Sequence, residues 1–194
     1  MAVALTDNLP VVLCRKRIEL VKTFTFTFRQ PYHTAEKMPL EEAKKFVGGV
    51  KTEANRLAVA GMVGIEKDLA SADFEVTTCA LLMASGRPLP PLEKILTSHA
   101  MIHTADGELF RDSIVHACER RGLAVTKLKE RGVLDQGADK LRLELEVLQR
   151  TLRELGRSFG APWSQDEKLA TLGAWLCLDP RISSGSRKGS RRTT

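Results

Sequence analysis

ELFRDSIVHACERRGLAVTKL, Glu108 to Leu128, is the stretch that decides the fold class. Phe110, Ile114, Ala117 and Cys118 recur at helical spacing and form an inward stripe, continued by Arg121. Gly122 then stands where a helix exit needs a left-handed residue. Leu123 to Leu128 reads as a strand. A helix that ends on glycine and runs straight into a short apolar strand is the mark of a sheet fed by helices. The expected class is therefore α/β or α+β, a mixed β-sheet covered by helices.

The same reasoning extends in both directions. Upstream, RKRIELVKTFTFTFRQP (Arg15 to Pro31) alternates with period two. Ile18, Leu20, Phe24, Phe26 and Phe28 fall on one parity, with Glu19 and the threonines on the other, and this predicts a strand with one wet face. VVLC (Val11 to Cys14) reads as a short strand before it, and FEVTTCALLMASG (Phe74 to Gly86) as another. LEEAKKFVGGVKTEANRLAVAG, from Leu40, has helical spacing, with Gly48-Gly49 weakening its middle and Gly61 and Gly64 closing it. After the break RPLPP, LEKILTSHAMIH is read as a helix from Leu92, and Thr104 as the cap of the next helix. Downstream, Leu141, Leu145, Leu148, Leu152, Leu155 and Phe159 predict one long amphipathic helix over 135–159. Ser164 and Glu167 fit a capping box that opens a last helix. Two C-terminal helices thus close a single domain over residues 1–179, and 180–194 form a disordered basic tail.

Composition bounds the function. The chain has 194 residues, enough for a core without covalent staples. Its four cysteines are widely spaced, which excludes a zinc ribbon or a disulfide framework and predicts buried free thiols. No apolar run approaches the roughly 20 residues needed to span a bilayer, and the first residues lack the layout of a secretory signal. The expectation is a cytoplasmic protein with no membrane partner. Of the net charge of +6, five charges fall in the tail, on Arg181, Arg187, Lys188, Arg191 and Arg192. Nucleic-acid affinity would therefore be a property of the tail, through Arg187, Lys188, Arg191 and Arg192.

The chemistry-bearing residues cluster in SHAMIHTADGELFRDSIVHACERRGLAV, Ser98 to Val125. His99 and His103 stand at i, i+4, a spacing that can chelate a divalent ion. The glutamate of H-E-x-x-H is missing, so a third ligand must come from Asp106, Glu108 or His33. Asp106, Glu108 and Asp112 form a second candidate, a Mg²⁺ or Mn²⁺ site for phosphoryl chemistry. His116, four residues after Asp112, is a third, as a general acid or base. A purely structural account also covers these residues. In it, Thr104 caps a helix, Asp106 and Glu108 complement its dipole, and the histidines fill junctions. The leading functional expectation is a nucleic-acid-associated, divalent-metal-dependent hydrolase of nuclease type, with Mg, Mn or Zn as cofactor. The alternative is a non-enzymatic interaction protein that homodimerises through the 135–159 helix.

Overall fold

The structure, a computed structural model, describes residues 1–84 and 88–179. They are mixed α/β, with eight α-helices and two separate two-stranded sheets. The chain divides into two compact units, each discontinuous in sequence. One holds Met1–Lys16, Thr78–Ala84 and the chain from Thr126 onward; the other holds Arg17–Thr77 and Ser85–Val125.

The first unit opens with a hairpin of β1 (Ala2–Thr6) and β2 (Leu9–Cys14), paired antiparallel with Thr6 opposite Leu9. Asp7 and Asn8 form its two-residue turn, both at positive φ (51° and 63°). This is the twist that two-residue hairpins favour, and Asp and Asn tolerate it at little cost. β3 (Thr78–Met83) pairs with β4 (Ala124–Lys129) in the second sheet. Three helices follow: α6 (Val133–Leu141), α7 (Leu145–Leu155) and α8 (Gln165–Leu178). Helix α8 packs on β3 and β1, and Gly173 permits a close approach to Ala80. The core gathers Leu141, Leu148, Leu152, Leu172, Trp175 and Leu176. Each such side chain taken from water contributes about 1.5–3 kcal/mol. Arg15 ties the end of β2 into this unit, donating to the Pro162 and Phe159 carbonyls at 2.6 and 3.0 Å.

The capping box that opens the last helix is present: the Glu167 N–H donates to Ser164 Oγ, and the Ser164 N–H to Glu167 Oε2. The expected single helix over 135–159 is not. It breaks at Arg142, which sits in the left-handed region (φ 56°, ψ 44°), so α6 and α7 are separate elements. The leucine stripe survives the break because both pieces turn it inward. Leu148 and Leu152 are fully buried against the unit's own helices. The surface assigned to a dimer seam is therefore spent inside the chain.

The second unit is helical. It contains α1 (Phe26–Arg29), α2 (Pro31–Ala35), the long α3 (Leu40–Ala70), α4 (Leu92–Leu96) and α5 (His99–Arg120). Helix α3 packs along α5, while α2 lies on both and α4 on α5. Ala43, Val47, Val50, Ala54 and Leu109 form the seam. Small residues on one stripe let the helices approach closely.

Three expectations fail here. Residues 15–31 form no strand; Phe26–Arg29 is a helical turn. Period-two alternation is a strand signal only where a neighbouring strand supplies the ladder. Here none does, and Phe24 and Phe26 are 60% and 62% exposed. Phe24 is instead flanked by the Arg17 and Arg29 guanidinium groups, 5.2 and 4.3 Å from its ring centre. Helix α3 runs through Gly61 and Gly64 to Ala70, because the tertiary seam outweighs about 1 kcal/mol per glycine. At Gly61 the space of a Cβ is taken by Ile18. Finally, Thr104 caps nothing. Helix α5 starts at His99 and is continuous through Thr104, whose hydroxyl donates to the Ala100 carbonyl. The basic tail over 180–194, with Arg187, Lys188, Arg191 and Arg192, lies outside the described residues.

Candidate metal centre

Moving the start of α5 back to His99 changes what its polar residues face. Asp106 and Glu108 are no longer in a first turn, where the helix dipole would account for them. They lie in the second and third turns and are 7% and 6% exposed. A carboxylate buried in mid-helix needs partners. Glu108 has Arg111, at 3.4 Å. Asp106 has the N-terminal end of α2: its Oδ1 accepts from the Tyr32 N–H at 2.7 Å, and its Oδ2 meets His33 Nδ1 at 2.5 Å.

That second bond sets the chemistry. An ionised carboxylate only accepts, so His33 Nδ1 is the donor of this bond, and in the neutral imidazole Nε2 is then the free ligand nitrogen. The short helix α2 places the His33 ring against the two rings that α5 displays from its first turn. Ring centres lie 4.4 Å apart for His33–His103, 5.4 Å for His33–His99 and 4.5 Å for His99–His103. His99 Nε2 and His103 Nε2 are 3.0 Å apart. One ligand nitrogen from each of the three lies within 4.8 Å of the others. Two imidazole nitrogens bound to one tetrahedral zinc, each about 2.0–2.1 Å from it, sit roughly 3.3 Å from each other. The α5 pair is thus near chelating separation, with one nitrogen of His33 within 4.8 Å of both.

Burial is graded across the cluster: His33 is half-buried, and His99 and His103 are exposed. Phe26 stands beside His33, ring centres 6.4 Å apart, and adds an apolar rim. Burial pushes the Tyr32 hydroxyl above its ordinary range, and the negative charges of Asp106 and Asp112 push it further. Tyr32 therefore stays protonated at neutral pH.

Of the candidates drawn from sequence, His99 and His103 meet, and His33 supplies the third ring. Asp106 stands behind His33 rather than beside it as a ligand. Among the described residues, Asp106, Glu108 and Asp112 do not form a metal-ligand group. Glu108 is turned to Arg111, and Asp112 is exposed. His116 is half-buried, more than three turns along α5 from His103, and is not in the cluster. The Asp106–His33 pair was not legible beforehand. Seventy-three residues separate the partners, and no local spacing signals a contact over that distance. No protein-family model, curated protein or solved structure matches the chain. No described helix is long and apolar enough to cross a membrane.

Proposed function

We propose that the chain binds one divalent transition metal, zinc by its donor chemistry, through His33, His99 and His103, and uses it to activate water. The observation that carries this reading is the buried Asp106 carboxylate fixing His33 while three imidazoles converge. Metal-ligating histidines commonly donate their other N–H to a carboxylate, which sets the tautomer and raises ligand basicity. Imidazole suits zinc, whereas Mg²⁺ and Mn²⁺ prefer oxygen donors. The Mg²⁺ or Mn²⁺ alternative therefore gives way to zinc.

Three protein ligands leave a fourth tetrahedral position open, the pattern of catalytic rather than structural zinc. Zinc held by these three residues would supply a water that can lose its proton near neutral pH. Its oxygen would form the new bond to a substrate's phosphorus or carbonyl carbon while the leaving oxygen departs with a proton. The reaction class is metal-dependent hydrolysis, and the exposed side of His99 and His103 admits the substrate. A nucleic-acid substrate remains part of the proposal only through the basic tail.

Zinc titrated into chelator-treated protein should bind at one ion per chain. Cobalt in its place should give the intense visible absorption of a tetrahedral site. His99→Ala and His103→Ala should each abolish both. Hydrolysis of bis-(p-nitrophenyl) phosphate or p-nitrophenyl acetate that appears with zinc and vanishes in the same variants would support the catalytic half. Absence of zinc binding by the wild type would end the reading.

A further inference from the structure

A second site, independent of the metal centre, lies at the glycine pair of α3. The segment from Leu20 to Thr23 and α3 flank a half-open cavity of about 550 Å³, walled by Leu20, Phe28, Phe46 and Val50, with the exposed Gly49 in its lining. That size falls within the range of small-molecule sites. Gly48-Gly49 sits in the body of a 31-residue helix, where each glycine lowers helix stability relative to alanine. Gly61, Gly137 and Gly173 repay this by letting a neighbour in. A Cβ at Gly61 would lie 2.5 Å from Ile18, one at Gly137 2.9 Å from Leu172, and one at Gly173 3.2 Å from Ala80. At Gly48 and Gly49 a Cβ would meet nothing within 4 Å. The chain's own packing does not require glycine there, yet Gly49 faces a cavity large enough for a ligand.

The lining also carries charge, on Lys22, Lys45, Glu42 and Glu53. Glu53 is taken up by Arg56, which donates to both of its oxygens at 2.8 and 2.9 Å. Lys22 also faces Glu53, so with Arg56 counted three cations stand against the two carboxylates, an excess of one positive charge at the cavity. We infer that the cavity binds a small molecule with an apolar body and one anionic group, the body over Gly49 and the anion at Lys22 and Lys45.

The test is calorimetry on the full chain with decanoate, and with 1-decanol as its uncharged counterpart. Decanoate should bind the wild type, and 1-decanol at least about tenfold more weakly, since a charge-assisted contact is worth that much. Gly49→Leu fills the cavity while improving helix propensity. It should keep or raise the melting temperature and remove decanoate binding. Lys45→Gln leaves the cavity open and should weaken decanoate by about threefold to tenfold, a check that stands even where Gly49→Leu misfolds. The inference is overturned by no decanoate binding at millimolar concentration, by binding unchanged in a folded Gly49→Leu, or by equal binding of the alcohol. A concentration-dependent dimer that Gly49→Leu dissociates would overturn it too, by making a second copy the occupant.

Discussion

Replacing Asp106 with asparagine is the sharpest probe of the metal centre, because the shape is kept and only the hydrogen-bond logic changes. The carboxylate accepts two bonds, from the Tyr32 N–H at 2.7 Å and from His33 Nδ1 at 2.5 Å. Asparagine has one oxygen to offer. If that oxygen keeps Tyr32, the amide NH₂ faces His33 Nδ1, which must then accept. The His33 proton moves to Nε2 and the ring can no longer ligate through it. If the oxygen keeps His33 instead, the NH₂ points at the Tyr32 N–H, and a buried donor is left unpaired at about 1–3 kcal/mol. Either arrangement taxes the form in which His33 holds metal. The expected loss in zinc affinity is about 10- to 100-fold, the usual effect of removing such a partner, or roughly 1.4–2.7 kcal/mol. Without metal, losing a charge-assisted bond should cost about 1.5–3 kcal/mol of stability. The assay is competition calorimetry of zinc against a chelator, paired with denaturant unfolding of metal-free protein. Asp112→Asn, on the same helix but exposed, is the control and should bind zinc as the wild type does. If Asp106→Asn loses stability yet binds zinc within about twofold of wild type, against the 10- to 100-fold expected, Asp106 is structural alone and His33 is not a ligand.

Leu148 is fully buried in the first unit's core. Leu148→Ala should therefore cost about 2–5 kcal/mol in urea unfolding, and Leu148→Asp should aggregate; a soluble, folded Leu148→Asp monomer on a sizing column would restore the dimer seam. Ser164→Ala should cost about 1 kcal/mol through the lost cap. The Ser164 backbone N–H holds the Glu167 carboxyl below its ordinary range, with burial opposing and Ser164 Oγ and Arg15 assisting. A lowered folded value means stability present above the usual carboxylate range and lost as pH falls through that lower value. The acid limb of the melting temperature should flatten in Glu167→Gln. Truncation after Pro180 removes five positive charges; it should weaken duplex binding and reduce its salt dependence. Binding unchanged by truncation would place the footprint on the folded residues.

The sequence by itself determined the elements whose signals are local. The helix that ends at Gly122 and leads into β4, the capping box at Ser164, the long helix from Leu40 and the class of the fold all follow from spacing and from residues that satisfy their own neighbours. His99 and His103 were legible as a pair for the same reason, since four residues on a helix fix their relation. The hairpin at Asp7-Asn8 was not among the expected elements, although its two-residue turn of residues that tolerate positive φ between apolar runs is a local signal. What only the tertiary structure decided depends on partners distant in the chain. The Thr-Phe alternation at 23–28 is not a strand because no second strand pairs with it. Thr104 is not a cap because α5 gains more by burying Ile102 and Ala105 than by stopping. The 135–159 stripe breaks at Arg142 because turning both halves onto one core buries more leucine than a straight rod can. His33 reaches the α5 histidines because Asp106, buried in mid-helix without solvent, has to find donors, and the start of α2 supplies both of them.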